Sequence, residues 1–271
     1  MPGTTPAAQP ATQHSSLPTT LVGASPKSYL TAPAAVEWIR IVGEGLAAHP
    51  ERGDGVFACL PFPIIPDAIR ALGPLGVLIG SQDVSRHPVG AFTGEVSAEL
   101  LSGLGSRFAM VGHPERVKYF GETPDDFGAK SRAAAEHGIA PILVVGEPER
   151  GHDPAGVIGP QLDAAFGDVS DDAPVVVAYE PTWVIGAAEP APADHIVGVV
   201  AGIRALLAQR SGESRVLYGG SAGPGTFAAI AAEGRASGRL DGIPAGVFLG
   251  RAGVDPHGFL ATIAEVREHR A

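Results

Sequence analysis

The sequence predicts an α/β protein, a closed (β/α)8 barrel forming a single domain. Two features of the chain point there. Eight short runs of β-branched and other apolar residues recur along it, and amphipathic segments of helical period lie between them. The runs are apolar throughout instead of alternating, which marks a sheet covered on both faces, and strict alternation of strand and helix marks parallel pairing. Eight such units in about 250 residues match a closed barrel. An open doubly wound sheet is the competing arrangement. Against it, the stretch from Val22 to Lys27 holds one glycine, Gly23, where a dinucleotide-binding turn carries a glycine-rich fingerprint.

Residues 1–18 are rich in Pro, Thr, Ser, Gln and Ala without aromatic or periodic content, and read as a disordered extension ahead of a barrel at 19–271. Strands are expected at 20–22, 56–60, 77–80, 108–111, 142–145, 175–178, 216–218 and 247–249. Helical patterns lie at 34–48, 66–72, 98–104, 124–137, 195–210, 225–233 and 256–268, with a weaker one near 159–166. The 37 glycines and 25 prolines fall mostly between the apolar runs, as loop punctuation of a many-element fold.

Composition narrows the function. No apolar run approaches the ~20 residues of a membrane span, and the first residues lack the basic start and apolar core of a secretory signal, so a cytoplasmic location is expected. The single cysteine, Cys59, excludes an internal disulfide framework and supplies no Cys-based metal motif. Nothing in the chain calls for a cofactor or a metal. A formal charge of −10 argues against nucleic-acid or anionic-membrane partners, so any phosphate must be captured locally.

One carboxylate stands out. Glu180 closes an apolar β-branched run, directly before Pro181, Thr182 and Trp183. Burying an unpaired acid there is costly unless its basicity or charge is used, which makes Glu180 the first candidate for a catalytic base. The small apolar residues that follow, between Pro181 and Pro190, suit a lid that closes over the carboxylate and expels water.

In a barrel the chemistry gathers at the C-terminal strand ends. Strand 1 ends at Ser25, Pro26 and Lys27, and Lys27 is either a solvated loop lysine or a cation of the site. Strand 4 ends at Gly112, His113, Pro114, Glu115 and Arg116. Pro114 suits a first helical turn, which places His113 at the positive end of a helix. There it is either a satisfied cap or a neutral hydrogen-bond donor toward a substrate oxygen. Glu115 and Arg116 form a supporting ion pair or are plain surface charges. Strand 7 ends at Gly219, Gly220 and Ser221, strand 8 at Gly250 and Arg251, and backbone N–H groups in these loops make a phosphate site, with Gly186 of the lid as a third donor.

Taken in order, Lys27, the segment from Gly112 to Arg116, Phe120 to Glu122, Val145 to Glu147, Tyr179 to Gly186 and Tyr218 to Ser221 resemble the motif set of the triosephosphate isomerase family, and Gly90 to Glu95 fits as well. The resemblance spans roughly residues 20–268. It implies that Glu180 moves a proton between adjacent carbons, that His113 polarises the oxygens of the enediolate, and that Lys27 supplies positive charge. It further implies backbone donors to phosphate at Gly186, Ser221 and Gly250, a lid at 181–191, and a homodimer in which Thr93 contacts the neighbouring subunit. Glu115 would hold Lys27 and its loop. The implied substrate is a small phosphorylated sugar, dihydroxyacetone phosphate in the parent activity.

The chain departs from the pattern at several places. Ser25 stands where the family usually has Asn, Pro114 replaces a Ser, Arg251 replaces the second glycine of a Gly-Gly pair, and Phe248 takes the place of a leucine packed over the base. Ala188 and Glu189 stand where the lid usually has Gly-Lys. Ser25 and Arg251 resemble the branch that isomerises L-erythrulose phosphates. An arginine there either pairs with phosphate, reshapes the pocket for a longer sugar, or turns to solvent. A non-catalytic barrel that only binds a phosphorylated ligand is the third reading.

Overall fold

The computed structural model describes residues 16–150, 153–184, 187 and 189–270. The expected extension therefore lies largely outside the described residues, as do Gly186 and Ala188 of the expected lid. Eight strands, β1 (Leu21–Ala24), β2 (Val56–Leu60), β3 (Leu78–Ser81), β4 (Phe108–Val111), β5 (Ala140–Val145), β6 (Val175–Tyr179), β7 (Ser214–Tyr218) and β8 (Gly246–Leu249), form a closed parallel barrel in sequence order, with β1 pairing both β2 and β8.

Helices α1 (Ala32–Ala47), α2 (Ile65–Leu72), α3 (Ala98–Leu104), α4 (Pro114–Phe120), α5 (Pro124–Glu136), α6 (Pro154–Phe166), α7 (Ala193–Leu207), α8 (Thr226–Ala236) and α9 (Pro256–His269) lie between and after the strands. The weak pattern near 159–166 is the second half of α6. That helix starts earlier because the Asp153 side chain accepts from the Ala155 and Gly156 N–H groups, while Gly156, Gly159 and Pro160 blur its period. No helix among the described residues is long and apolar enough to cross a membrane.

The unbroken apolar strands have a two-sided explanation. In β2, Phe57 and Cys59 point into the barrel with Phe108, Ile142 and Phe248, whereas Val56, Ala58 and Leu60 pack outward against the helix layer. Phe57 fills the interior, its ring 5.0 Å from Phe108 and 5.1 Å from Phe248. Gly23 makes room for it, since a Cβ at that position would stand 2.0 Å from Phe57 Cζ. Near the opposite, N-terminal mouth, Leu17 is buried and Arg215 donates to the Leu17 and Pro18 carbonyls at 2.9 and 2.8 Å, so the last residues of the expected extension are packed against the barrel.

One close approach positions the candidate base. Glu180 N donates to Val145 O at 2.7 Å, drawing the end of β6 against Gly146, where a Cβ would lie 2.0 Å from Glu180 O. Only a bare backbone fits. Gly146→Ala is therefore expected to cost at least about 2 kcal/mol in denaturant unfolding, and to move Glu180 even where the barrel still forms. Wild-type stability in that variant would show the contact to be soft.

Candidate active site

Ser25, Lys27, His113, Glu180, Ser221, Gly250 and Arg251 all line one cavity of about 350 Å³ at the C-terminal end of the barrel. Met110, Gly219, Phe248 and Leu249 line it too. Seven of the sequence-predicted residues are thus brought together. Glu115 stands just behind them, its Oε1 2.6 Å from Lys27 Nζ. Thr93 is exposed and does not line the cavity, and Gly186 lies outside the described residues.

Two arrangements differ from expectation. Glu115 and Arg116 do not pair with each other. Adjacent on α4, their side chains diverge: Glu115 turns to Lys27, while Arg116 turns to Asp83 at 2.9 Å and to Glu122. Lys130 completes that second cluster at 2.6 Å from Asp83 and 2.5 Å from Glu122.

Gln82 was not anticipated. Its Nε2 donates to Lys27 O at 2.9 Å and reaches Ser25 Oγ and Cys59 O, each at 3.3 Å. Lys27 adopts a left-handed backbone, φ 51°, which a non-glycine residue holds only when its surroundings impose it. The Gln82 clamp from the end of β3 and the Glu115 ion pair impose it here. The available signal in the sequence was a polar residue directly after an apolar strand, the same signal that marked Glu180.

His113 is the cap that the sequence offered as one of its two readings. It is the N-cap of α4, its Nδ1 accepting at 3.1 Å from Glu115 N, one of the donors that the first helical turn leaves without a partner. In a neutral ring an accepting Nδ1 leaves the proton on Nε2, the donor the ring can offer to the cavity. Burial first, and the charge of Lys27 second, push its pKa down to about 4. Glu180 moves the other way. Burial lifts its carboxyl to about 7, Lys27 counteracting and Glu115 reinforcing the rise. The carboxylate rests on Gly219, where a Cβ would meet Oε1 at 2.5 Å. A base with raised affinity for a proton thus shares its cavity with an imidazole kept neutral and a lysine held by an ion pair. Such a set suits proton abstraction beside a polarised carbonyl.

The segment after Glu180 is tied to the barrel at both ends. Ser221 Oγ donates to Val184 O at 2.8 Å, and Ala191 N donates to Tyr218 Oη at 2.9 Å. Near its start, Thr182 N and Oγ1 donate to Glu147 O at 3.0 and 2.8 Å. The fully buried Glu147 carboxylate accepts from Trp183 Nε1 at 2.9 Å and from Tyr179 Oη at 3.0 Å.

Against known proteins, the family model described as triosephosphate isomerase matches residues 20–266. The chain belongs to that family. As a member it is an aldose-ketose isomerase. An L-erythrulose-1-phosphate isomerase of Pectobacterium atrosepticum is 35% identical over 256 residues, 90% of this chain and 94% of that protein. A triosephosphate isomerase of Thermus thermophilus is 40% identical over 218 residues, covering 76% and 84%. A crystal structure of triosephosphate isomerase from Bartonella henselae superposes with a TM-score of 0.76 at 24% identity, over 92% of this chain and 99% of that one, a likeness in fold.

Holding Glu180 ready costs stability, and the sign follows from its pKa. The unfolded carboxyl ionises near 4.5 and the folded one near 7, so the folded state is favoured below the first value and loses that advantage as pH rises to the second. The displacement corresponds to about 3 kcal/mol as an upper bound. Glu180→Gln should accordingly melt higher than wild type at about pH 8, with the gap closing toward about pH 5. A gap independent of pH would show that the charge is not desolvated.

Proposed function

We propose that the protein interconverts a small phosphorylated ketose and its aldose by moving a proton between adjacent carbons through an enediolate. The observation that carries this reading is the convergence of Glu180, His113 and Lys27 on one cavity, with the acid and the imidazole shifted in opposite directions. Glu180 takes the proton from one carbon and returns it to the next. His113 donates from Nε2 to the carbonyl oxygen and then to the neighbouring hydroxyl as charge develops there, and Lys27 offsets the negative charge of substrate and enediolate. Because Lys27 is already paired with Glu115, its charge is fixed in place before substrate arrives.

Backbone N–H groups at Ser221, Gly250 and Gly186 are proposed to receive the phosphate, with the segment from Pro181 to Ala191 closing as a lid that keeps water from the enediolate. Ser221 would then serve twice, its left-handed backbone (φ 52°) at the phosphate and its hydroxyl on the lid. The exposed loop bearing Thr93 is proposed to reach a second copy of the chain in a homodimer.

Dihydroxyacetone phosphate is the simplest substrate for this site. A second reading, L-erythrulose 1-phosphate, is favoured by two residues on the cavity wall. Ser25 is shorter than the amide the family usually places there, and Arg251 brings a guanidinium to the rim beside Gly250. Each can serve a longer sugar, by space and by hydrogen bonding.

Comparing kcat/KM on the two sugar phosphates separates the readings, because one additional carbon changes transition-state binding by about 1–3 kcal/mol. Silence on both would leave a phosphate-binding barrel. Glu180→Gln is expected to cut turnover by orders of magnitude while a phosphoglycolate-type inhibitor still binds, and undiminished turnover would remove Glu180 as the base. In the wild type, kcat/KM should rise with pH up to about 7 as Glu180 ionises, with no inflection from His113 above about pH 5. If the tetrose reading holds, Arg251→Gly shifts preference toward the triose, and an unchanged ratio removes Arg251 from specificity.

A further inference from the structure

The buried Glu147 carboxylate has a third partner outside the segment it anchors. His195, in the first turn of α7, places Nε2 2.8 Å from Glu147 Oε1 and 3.0 Å from Tyr179 Oη. Its ring also meets Trp183 edge-on, with centroids 5.7 Å apart. A carboxylate only accepts, so Nε2 must carry a proton, and the state of the histidine is decided at Nδ1.

Charge balance makes that state matter. Glu147 is fully buried, and among the described residues no lysine or arginine pairs with it. An uncompensated carboxylate in such a place is expensive. His195 is the one group in contact that can become a cation, and it is reachable from water, being about a quarter exposed along a cavity that it lines together with Arg150 and Asp153. The other charged and titratable groups around it are Tyr179 on β6, Asp194 beside it on α7, and Arg150, whose guanidinium lies 5.8 Å over the Trp183 ring.

We propose that His195 is a positioning residue for the lid, acting through Glu147 as a latch whose strength depends on its proton. Doubly protonated, it neutralises Glu147 and holds the carboxylate, and through it Trp183 and Thr182, in the geometry that fixes the start of the lid. Singly protonated, it leaves a neutral hydrogen bond and a buried net charge, and the start of the lid loosens. The proposal rests on the isomerase reading above for its effect on catalysis, although the latch itself does not.

The test compares wild type with His195→Gln, which can still donate to Glu147 and cannot titrate. The ratio of their kcat/KM values is read across pH, so that the titrations of Glu180 and of the substrate, common to both, cancel. It is expected to be about tenfold at the acid end of the range and to fall within about twofold at the alkaline end, with the loss appearing in KM and inhibitor affinity. His195→Leu, which also removes the donor, should be poorer than His195→Gln at every pH.

Trp183 fluorescence in the free protein provides a measure independent of turnover, with Trp38, on the buried face of α1, as a steady background. It should carry a pH-dependent component in wild type that His195→Gln lacks, beyond any contribution of Glu180 common to both. A ratio flat across pH, or identical fluorescence titrations in the two proteins, overturns the proposal even if both are active isomerases. If neither sugar is turned over but the fluorescence titrations differ, the latch stands and the catalytic reading falls. Should His195→Leu fail to fold, the comparison with His195→Gln still decides.

Discussion

Everything at the mouth of this barrel is arranged around one unfavourable fact, the burial of the Glu180 carboxylate. Three features make the burial possible. Gly146 lets the end of β6 close on β5, Gly219 gives the carboxylate a bare backbone to rest on, and Lys27 stands near enough to limit the rise in its pKa without forming an ion pair with it. Lys27 is spent on Glu115 instead, at 2.6 Å. Had it paired with Glu180, the base would sit well below neutrality and would be too weak to take a proton from carbon.

The same economy explains His113. An imidazole beside a lysine and at the start of a helix is penalised for protonating, and burial adds to the penalty. The ring is nevertheless held firmly, because the N–H of Glu115, in the first turn of α4, has no intrahelical acceptor and finds Nδ1. A capping bond and a chemically useful tautomer are therefore one arrangement seen from two ring nitrogens. Glu115 contributes at both ends, its backbone orienting His113 and its side chain restraining Lys27, so one residue couples the polariser to the cation.

The fold was legible because the barrel's two packing layers leave a strong trace: the strands carry apolar residues on both faces and are followed by helical periods. What was harder to see lay where local sequence is ambiguous. Helix α6 hid behind Gly156, Gly159 and Pro160, with only Asp153 to announce it. At the candidate site, residues that reach the cavity from their own strand end, such as Glu180, His113 and Lys27, could be picked out one by one. Gln82 and His195 could not, since each works through a partner brought from a distant part of the chain, Gln82 clamping the Lys27 loop and His195 the Glu147 carboxylate. The divergence of Glu115 and Arg116 belongs to the same class. Sequence adjacency suggested a pair, and the geometry of α4 gave each side chain a better partner across the fold.

The contrast between the two buried acids sharpens what burial does here. Glu147 and Glu180 follow neighbouring strands; Glu147 is fully buried, whereas Glu180 is desolvated on the wall of the cavity. Glu147 receives hydrogen bonds from Tyr179, Trp183 and His195, so its charge is satisfied and its position fixed. The influences on Glu180 are burial and the charges of Lys27 and Glu115, and its affinity for a proton rises. Identical side chains after neighbouring strands thus differ, one an anchor and the other a candidate base, by the number of donors each is given. In the proposed mechanism, a lid hinged on the first and closing over the second would remove water from the candidate base while drawing on the anchor for its rigidity. The two functions can then be altered separately: donors added at Glu180 would weaken the base, and donors removed at Glu147 would slacken the lid.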